Sequence, residues 1–343
     1  MGKKRLYLGG LSALECWTAA ALGMAPWPRK TRIATFGEFS STDRDVLAHD
    51  PGSKGAITLP YSVVVPRRGN NLRSKTCVRK RMAEPFPTGS FFDCGNNVYI
   101  ASPELCAIHF AEHASLWQTT LLCCELFGRY AINPASKELV TRAPLSSATS
   151  LSVYCSRANR TPGVKTALEA ARLSVDNSYS PMESKLALLL SAPGTRGCFG
   201  LPKPVMNKEV SVHDNSSGTT LARKPDLLWE EHGVALEYES RAHHEGEANI
   251  DRDSRRRNAL VHQGLTVYTA TAAQVFDQAS MTALARTIAL ALKMRPVPRV
   301  ADFSARFART HSEIMRADAL CPRPVIPPYA ASLSVAAGWI TRA

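Results

Sequence analysis

Residues 221–239 read LARKPDLLWEEHGVALEYE, two strand-like stretches (221 to 229 and 234 to 239) joined by the hairpin-length connection Glu230-Glu231-His232-Gly233. In the second stretch, alternation puts Val234, Leu236 and Tyr238 on one face and Ala235, Glu237 and Glu239 on the other. Two carboxylates therefore project from one face of a strand whose opposite face is apolar, and like charges that close repel unless something positive sits beside them. Asp226 lies in the preceding stretch, where an antiparallel hairpin brings it near Glu237. Asp226, Glu237 and Glu239 then form an all-oxygen cluster, a donor set suited to Mg²⁺ or Mn²⁺. A hard cation there would polarise a phosphodiester and activate water at neutral pH. The competing reading of the same residues is a solvated strand edge, salt-bridged to Arg255 or Arg256.

Outward from the hairpin, 205 to 213 (VMNKEVSVH) reads as a third strand. Before it, Ser180-Pro181-Met182-Glu183 opens a helix with an N-cap serine and an N1 proline; the helix carries Leu186, Leu188, Leu189 and Leu190 and stops at Pro193-Gly194. Glu183 stands at the third helical position, where a carboxylate caps the helix start or, aimed across the sheet, becomes a further metal ligand. Downstream, His243 and His244 sit in a loop leaving the carboxylate strand, placed to activate water or to protonate a leaving oxygen. Residues 251 to 263 (DRDSRRRNALVHQ) read as a helix ended by Gly264, with Arg252, Arg255 and Arg256 suited to holding phosphates. Residues 265 to 271 (LTVYTAT) are a strand, so the order is helix, three strands, helix, strand.

The chain of 343 residues is globular in composition, 45% hydrophobic and 21% charged, and long enough for two domains or one with extensions. Net charge is +13, and residues 1–82 hold 15 basic against 5 acidic side chains, which favours an anionic partner such as DNA. Seven of those cations, Arg67, Arg68, Arg73, Lys75, Arg79, Lys80 and Arg81, fall in one acid-free run, expected to be a loop offering charge to phosphates without sequence choice. Strands are expected at 61 to 66 and 97 to 101, and helices at 103 to 113, 116 to 128 and over 163 to 175. Ser12 to Glu15 reads as a capping box starting a helix that ends at Gly23 and Pro26. His109 and His113 have the spacing of a metal pair but no third ligand nearby, and are read as packing or surface histidines. The nine cysteines, none in a Cys-x-x-Cys, read as reduced thiols used as small hydrophobes. No apolar run reaches the roughly 18 residues of a membrane span, so no membrane partner and a cytoplasmic location are expected. A helix over 281 to 294 precedes a proline-rich tail expected to be extended or loosely docked.

Together, SPMESKLALLL, RKPDLLW, VALEYES with the following His-His, and DRDSRRRNALVHQGLTVYTAT resemble the Vsr-like branch of the PD-(D/E)XK nuclease superfamily, a group catalogued as a domain of unknown function. The resemblance covers residues 178 to 275. It implies an α/β protein with a C-terminal restriction-endonuclease-like α-β-β-β-α-β core and mixed sheet, preceded by a mixed α+β region. It also implies that Glu183 is the first-helix acid, Asp226 the second-strand acid and Glu237 the third-strand acid, with His243 or His244 as the histidine of this branch. Glu239 stands where the superfamily usually has lysine and this branch an acid, and Ser240 replaces the usual glycine, leaving Lys224 or a histidine to compensate. The stretch 97 to 128 (NVYIASPELCAIHFAEHASLWQTTLLCCELFG) is more weakly similar to type IV antitoxin AbiEi-like regulators, whose front part holds a winged helix; residues 1 to 60 lack a clean helix-turn-helix. The division expected is a basic N-terminal region over 1–90, a candidate DNA-binding module; a mostly helical linking domain over 91–177; a nuclease-like domain over 178–278; and a helix with a proline-rich tail over 279–343. The function expected is a Mg²⁺- or Mn²⁺-dependent DNA endonuclease of a prokaryotic or phage defence system. The alternative is a DNA-binding regulator with an inactive nuclease fold, working with a toxin partner or as a homodimer.

Overall fold

A computed structural model describes residues 4–40, 42–51, 57–67, 74–133, 136, 138–158, 160–214, 219–239, 260 and 264–317. The chain begins with β1 (Leu6–Leu8), α1 (Gly10–Ala21), β2 (Arg29–Lys30), α2 (Asp43–Leu47), β3 (Tyr61–Pro66), β4 (Cys77–Met82), β5 (Phe91–Asp93) and β6 (Val98–Ala101). These strands make one mixed six-stranded sheet in the order β2-β5-β6-β1-β3-β4. The boundary expected at residue 90 therefore runs through a sheet, because β5 and β6 are β-pairing partners of strands that precede it. At the turn from β1 into α1 the backbone needs glycine: a Cβ on Gly9 would lie 2.5 Å from Val64 Cγ2, and Gly10 has φ +46°. Ser12 and Glu15 do not cap α1, whose N-cap is Gly9. They look outward instead, Ser12 Oγ accepting from Ser62 N at 2.9 Å and Glu15 Oε2 from Thr58 N at 3.1 Å.

Next come α3 (Pro103–Ala111), α4 (Leu116–Phe127), the antiparallel pair β7 (Tyr130–Ile132) and β8 (Leu139–Thr141), α5 (Ala148–Arg157) and α6 (Val164–Leu173). Ser102 caps α3, and Ser115 with Gln118 makes a reciprocal capping box on α4, so both helices start where their polar residues dictate. Side chains of α1, α3, α5 and α6 pack with the sheet into a first core, from Leu6 to Ala171.

The second core runs from Trp117 to Ile314. This part of the chain forms α7 (Pro181–Ser191), β9 (Val205–Met206), β10 (Val210–Asp214), β11 (Thr219–Arg223), β12 (Leu227–Trp229), β13 (Val234–Glu239), β14 (Thr266–Thr271), α8 (Ala272–Phe276), α9 (Gln278–Ala291) and α10 (Phe303–Arg316). Its four-stranded sheet has the order β14-β13-β12-β9; β9, β12 and β13 are antiparallel and β14 runs parallel to β13. The stretches expected as single strands over 205–213 and 221–229 are each broken, since β10 and β11 leave this sheet as a separate two-stranded ribbon. The expected helix over 251–263 lies outside the described residues apart from helical Leu260. Beyond Pro298 the expectation of an extended tail fails over Phe303–Arg316, where Phe303, Phe307 and Ile314 recur at helical spacing and are buried. Phe199 meets Phe307 at 5.0 Å and Phe303 at 5.4 Å between ring centroids, anchoring α10 to the second core. Residues 318–343, the proline-rich part, lie outside the described residues.

The fold is thus mixed α/β with mixed sheets. No helix among the described residues is long and apolar enough to cross a membrane. The cysteines among them are free thiols, and all but Cys94 are buried, as expected of small hydrophobes.

Candidate functional site

Asp226, Glu237 and Glu239 lie toward one end of the four-stranded sheet. β12 and β13 pair Leu227 with Leu236, and the next step of that register sets Asp226 across from Glu237. Asp226 Oδ2 accepts from the Tyr238 backbone N–H at 2.8 Å, which fixes the carboxylate against the neighbouring strand. Glu239 is further along β13, opposite Thr271 of β14. Burial against the second core raises the pKa of the Tyr238 phenol, on the face of β13 opposite Glu237 and Glu239.

Glu183 reaches this sheet end through a residue that sequence reasoning missed. Its side chain is buried at 7% exposure, and Oε2 accepts both from Tyr179 N at 2.9 Å and from Asn207 Nδ2 at 2.8 Å. The Asn207 backbone N–H in turn donates to Asp226 O at 3.1 Å, so one asparagine ties the helix acid to the strand acid. Asn207 has φ +50°, a left-handed conformation that asparagine tolerates better than most side chains. The sequence did carry a signal: Asn-Lys inside a run read as strand is turn chemistry. The helix-cap role of Glu183 is realised one residue earlier than in a capping box, on Tyr179 N, while Ser180 Oγ accepts from Glu183 N at 3.2 Å.

The second missed residue is Arg223, at the end of β11 and three residues before Asp226. Its Nε is buried with no hydrogen-bond partner among the described residues. Lys224 beside it faces outward and pairs with Glu209 at 3.3 Å. His243, His244, Arg252, Arg255 and Arg256 lie outside the described residues. The donor chemistry of Asp226, Glu237 and Glu183 fits a hard divalent cation, because every donor is a carboxylate oxygen. Among the described residues, however, no group of three His, Cys, Asp or Glu side chains is gathered closely enough to hold a metal ion.

The basic run is only in part the solvated loop expected of it. Arg68 and Arg73 lie outside the described residues, and Arg67 and Lys75 are exposed. Arg79, Lys80 and Arg81 belong to β4, the edge strand of the first sheet. Arg79 pairs with Asp43 at 2.8 Å, and Lys80 pairs with Glu112 at 2.5 Å while donating to His109 O at 2.6 Å. Desolvation lowers the pKa of Lys80, Glu112 pulling the other way. These two cations hold the strand to α2 and to the end of α3. His109 is buried, its Nδ1 accepting from Gly10 N at 3.4 Å, and burial drives its pKa well below the usual histidine range; it is a packing residue, while His113 lies at the surface.

No protein-family model, no curated protein and no solved structure matches this chain.

Proposed function

We propose that the second unit is a nuclease-like domain of the PD-(D/E)XK type acting on nucleic-acid phosphodiesters. The observation that carries the reading is the strand order β14-β13-β12-β9, with three antiparallel strands and a parallel fourth, preceded by α7 and bearing acids from α7, β12 and β13 at one end. In this reading Asp226, Glu237 and Glu183 would hold Mg²⁺ or Mn²⁺. Such a cation, when bound, supplies charge at the scissile phosphate and acidifies water. The chain's own part is positional: Tyr238 N–H orients Asp226, and Asn207 draws the α7 acid onto the sheet. His243 or His244 supplies the proton-transfer group.

The test is cleavage of supercoiled plasmid, linear duplex and single-stranded DNA with Mg²⁺ or Mn²⁺. Wild type is expected to cleave at least one of them, and Asp226→Asn or Glu237→Gln to lose at least 100-fold while still binding DNA. Failure of wild type with every substrate and either ion overturns the reading.

A second reading is favoured by the hydrogen bonds at Glu183, whose Oε2 already serves two donors, and by the acid at position 239 in place of the usual lysine. It is a nuclease-type fold that binds DNA without cutting it, an AbiEi-like regulator whose partner is a toxin or a second copy. Its signature is DNA binding that EDTA leaves unchanged, with no cleavage.

A further inference from the structure

Along α10 the residues at spacings of three and four divide cleanly. Phe303, Phe307 and Ile314 face the second core, and Arg306, Arg309, Glu313 and Arg316 form an exposed stripe. None of these arginines has a carboxylate oxygen within 4.0 Å among the described residues, in contrast to Arg79 and Lys80. Arg309 and Arg316 line a groove of about 630 Å³, together with Gln118 from α4, Gln278 from α9, and Ser312 and Glu313. Gln118 spends its carbonyl on the Ser115 N–H at 2.9 Å, which leaves its amide N–H groups to the groove. Gln278 Nε2 donates to Ala308 O at 3.4 Å. The groove therefore offers two guanidinium forks and further donors, with Glu313 its one acid.

Seven residues separate the two arginines, two helical turns or about 10.5 Å along the axis. A chain of regularly spaced phosphates meets both, and each fork suits bidentate phosphate contact. The groove belongs to the second unit: Lys185 of α7 donates to Met315 O at 3.1 Å, which ties α10 to α7.

We propose that the arginine face of α10 is the docking surface for the phosphodiester backbone of a nucleic acid, read by charge and not by sequence. The binding rests on the charge of this face and not on the nuclease reading. The experiment uses the full chain in EDTA, with fluorescence anisotropy of labelled oligonucleotides about 20 units long as single-stranded DNA, duplex DNA and single-stranded RNA, titrated across salt. For Arg309→Gln/Arg316→Gln the affinity at low salt is expected to fall about tenfold or more. The log–log salt slope is expected to flatten by roughly 1.4 on single strands or 1.8 on duplex, two phosphate contacts' worth. Glu313→Gln, which keeps both arginines, is expected to tighten binding, so the proposal stays testable if the double variant folds poorly. Preference among the probes identifies the nucleic acid. An unchanged slope in the double variant, weaker binding in Glu313→Gln, or no wild-type binding to any probe at low salt overturns the docking surface. Arginine-dependent binding with no cleavage by wild type leaves the surface standing and sinks the nuclease reading; cleavage and binding that ignore both arginines do the reverse.

Discussion

At Asn207 two costs are separable by substitution. The side chain donates to a buried carboxylate and to Asn177 O at 3.2 Å, and the backbone holds φ +50°. Asn207→Gly keeps the conformation and removes the bridge, so it should cost about 2 kcal/mol, the usual loss for a hydrogen bond to a charged group. Asn207→Ala must also hold a β-carbon in the left-handed region, adding about 1 kcal/mol. Urea unfolding should rank wild type above glycine above alanine; equal losses for the two variants would show that the backbone conformation contributes nothing. Glu125 of α4 poses a different residue-scale question. Its Oε2 is buried with no hydrogen-bond partner among the described residues, near the equally unpartnered Tyr130 hydroxyl. Burial pushes the carboxyl up to about 8, against the pull of Arg142. Below about pH 4.5 the group is protonated whether the chain is folded or not. As pH rises from there the unfolded chain ionises first, so this residue subtracts stability progressively until about pH 8. His109 acts in the opposite sense, its depressed pKa removing stability as pH falls below about 6.5. The difference between Glu125→Gln and wild type isolates the carboxyl: the variant should gain on wild type between pH 5 and pH 9, ending about 2 kcal/mol ahead. A pH-independent difference would place the ionised carboxylate in water.

At the scale of the element, what could be read from sequence followed the strength of local chemistry. The strand over 234 to 239 has the predicted ends because Gly233 turns the chain at φ +62° immediately before it and period-two alternation runs through it. Helices α3, α4 and α7 start at 103, 116 and 181 as expected, with Ser102, Ser115 and Ser180 as their caps, since a cap is a property of two or three adjacent residues. The register that sets Asp226 across from Glu237 was legible for the same reason, being one hairpin away. What failed depended on distant partners. The run at 67–81 looked like a solvated charge patch, yet its last part is an edge strand because Asp43 and Glu112, each about 30 or more residues off, neutralise Arg79 and Lys80. Helix α10 hid between prolines, although Phe303, Phe307 and Ile314 mark its inner face; attention to composition overrode periodicity there. The six-stranded sheet escaped because its strands are short and its neighbours, β1 with β6 among them, lie about 90 residues apart. Asn207 escaped because its partners, Asn177, Glu183 and Asp226, lie about 20 to 30 residues away in sequence.

For the whole molecule the decisive element is α4, because its two sides belong to different cores. Leu122, Cys123, Leu126 and Phe127 are packed in the first, and Trp117, Leu121 and Cys124 in the second. Arg142 reinforces the end of this helix by donating to Glu125 O at 2.6 Å and Gly128 O at 3.1 Å, satisfying carbonyls that a helix terminus leaves open. A shared buried helix makes the two cores each other's support: if either melts, one flank of α4 is exposed and its apolar surface returns to water. Independent unfolding would have to leave that flank bare. The expectation is therefore one cooperative transition. Leu121→Ala and Leu122→Ala are adjacent in sequence but open cavities in different cores, and each should cost about 2 to 5 kcal/mol. Under native-state hydrogen exchange, either variant should speed the slowest amides of β1 and β3 and those of β12 and β13 by a similar factor, since both sets open only with the whole. If Leu121→Ala accelerated β12 and β13 while leaving β1 and β3 untouched, the cores would be energetically separate and α4 would be a tether between them, with the coupling free energy read directly from the ratio of the two accelerations.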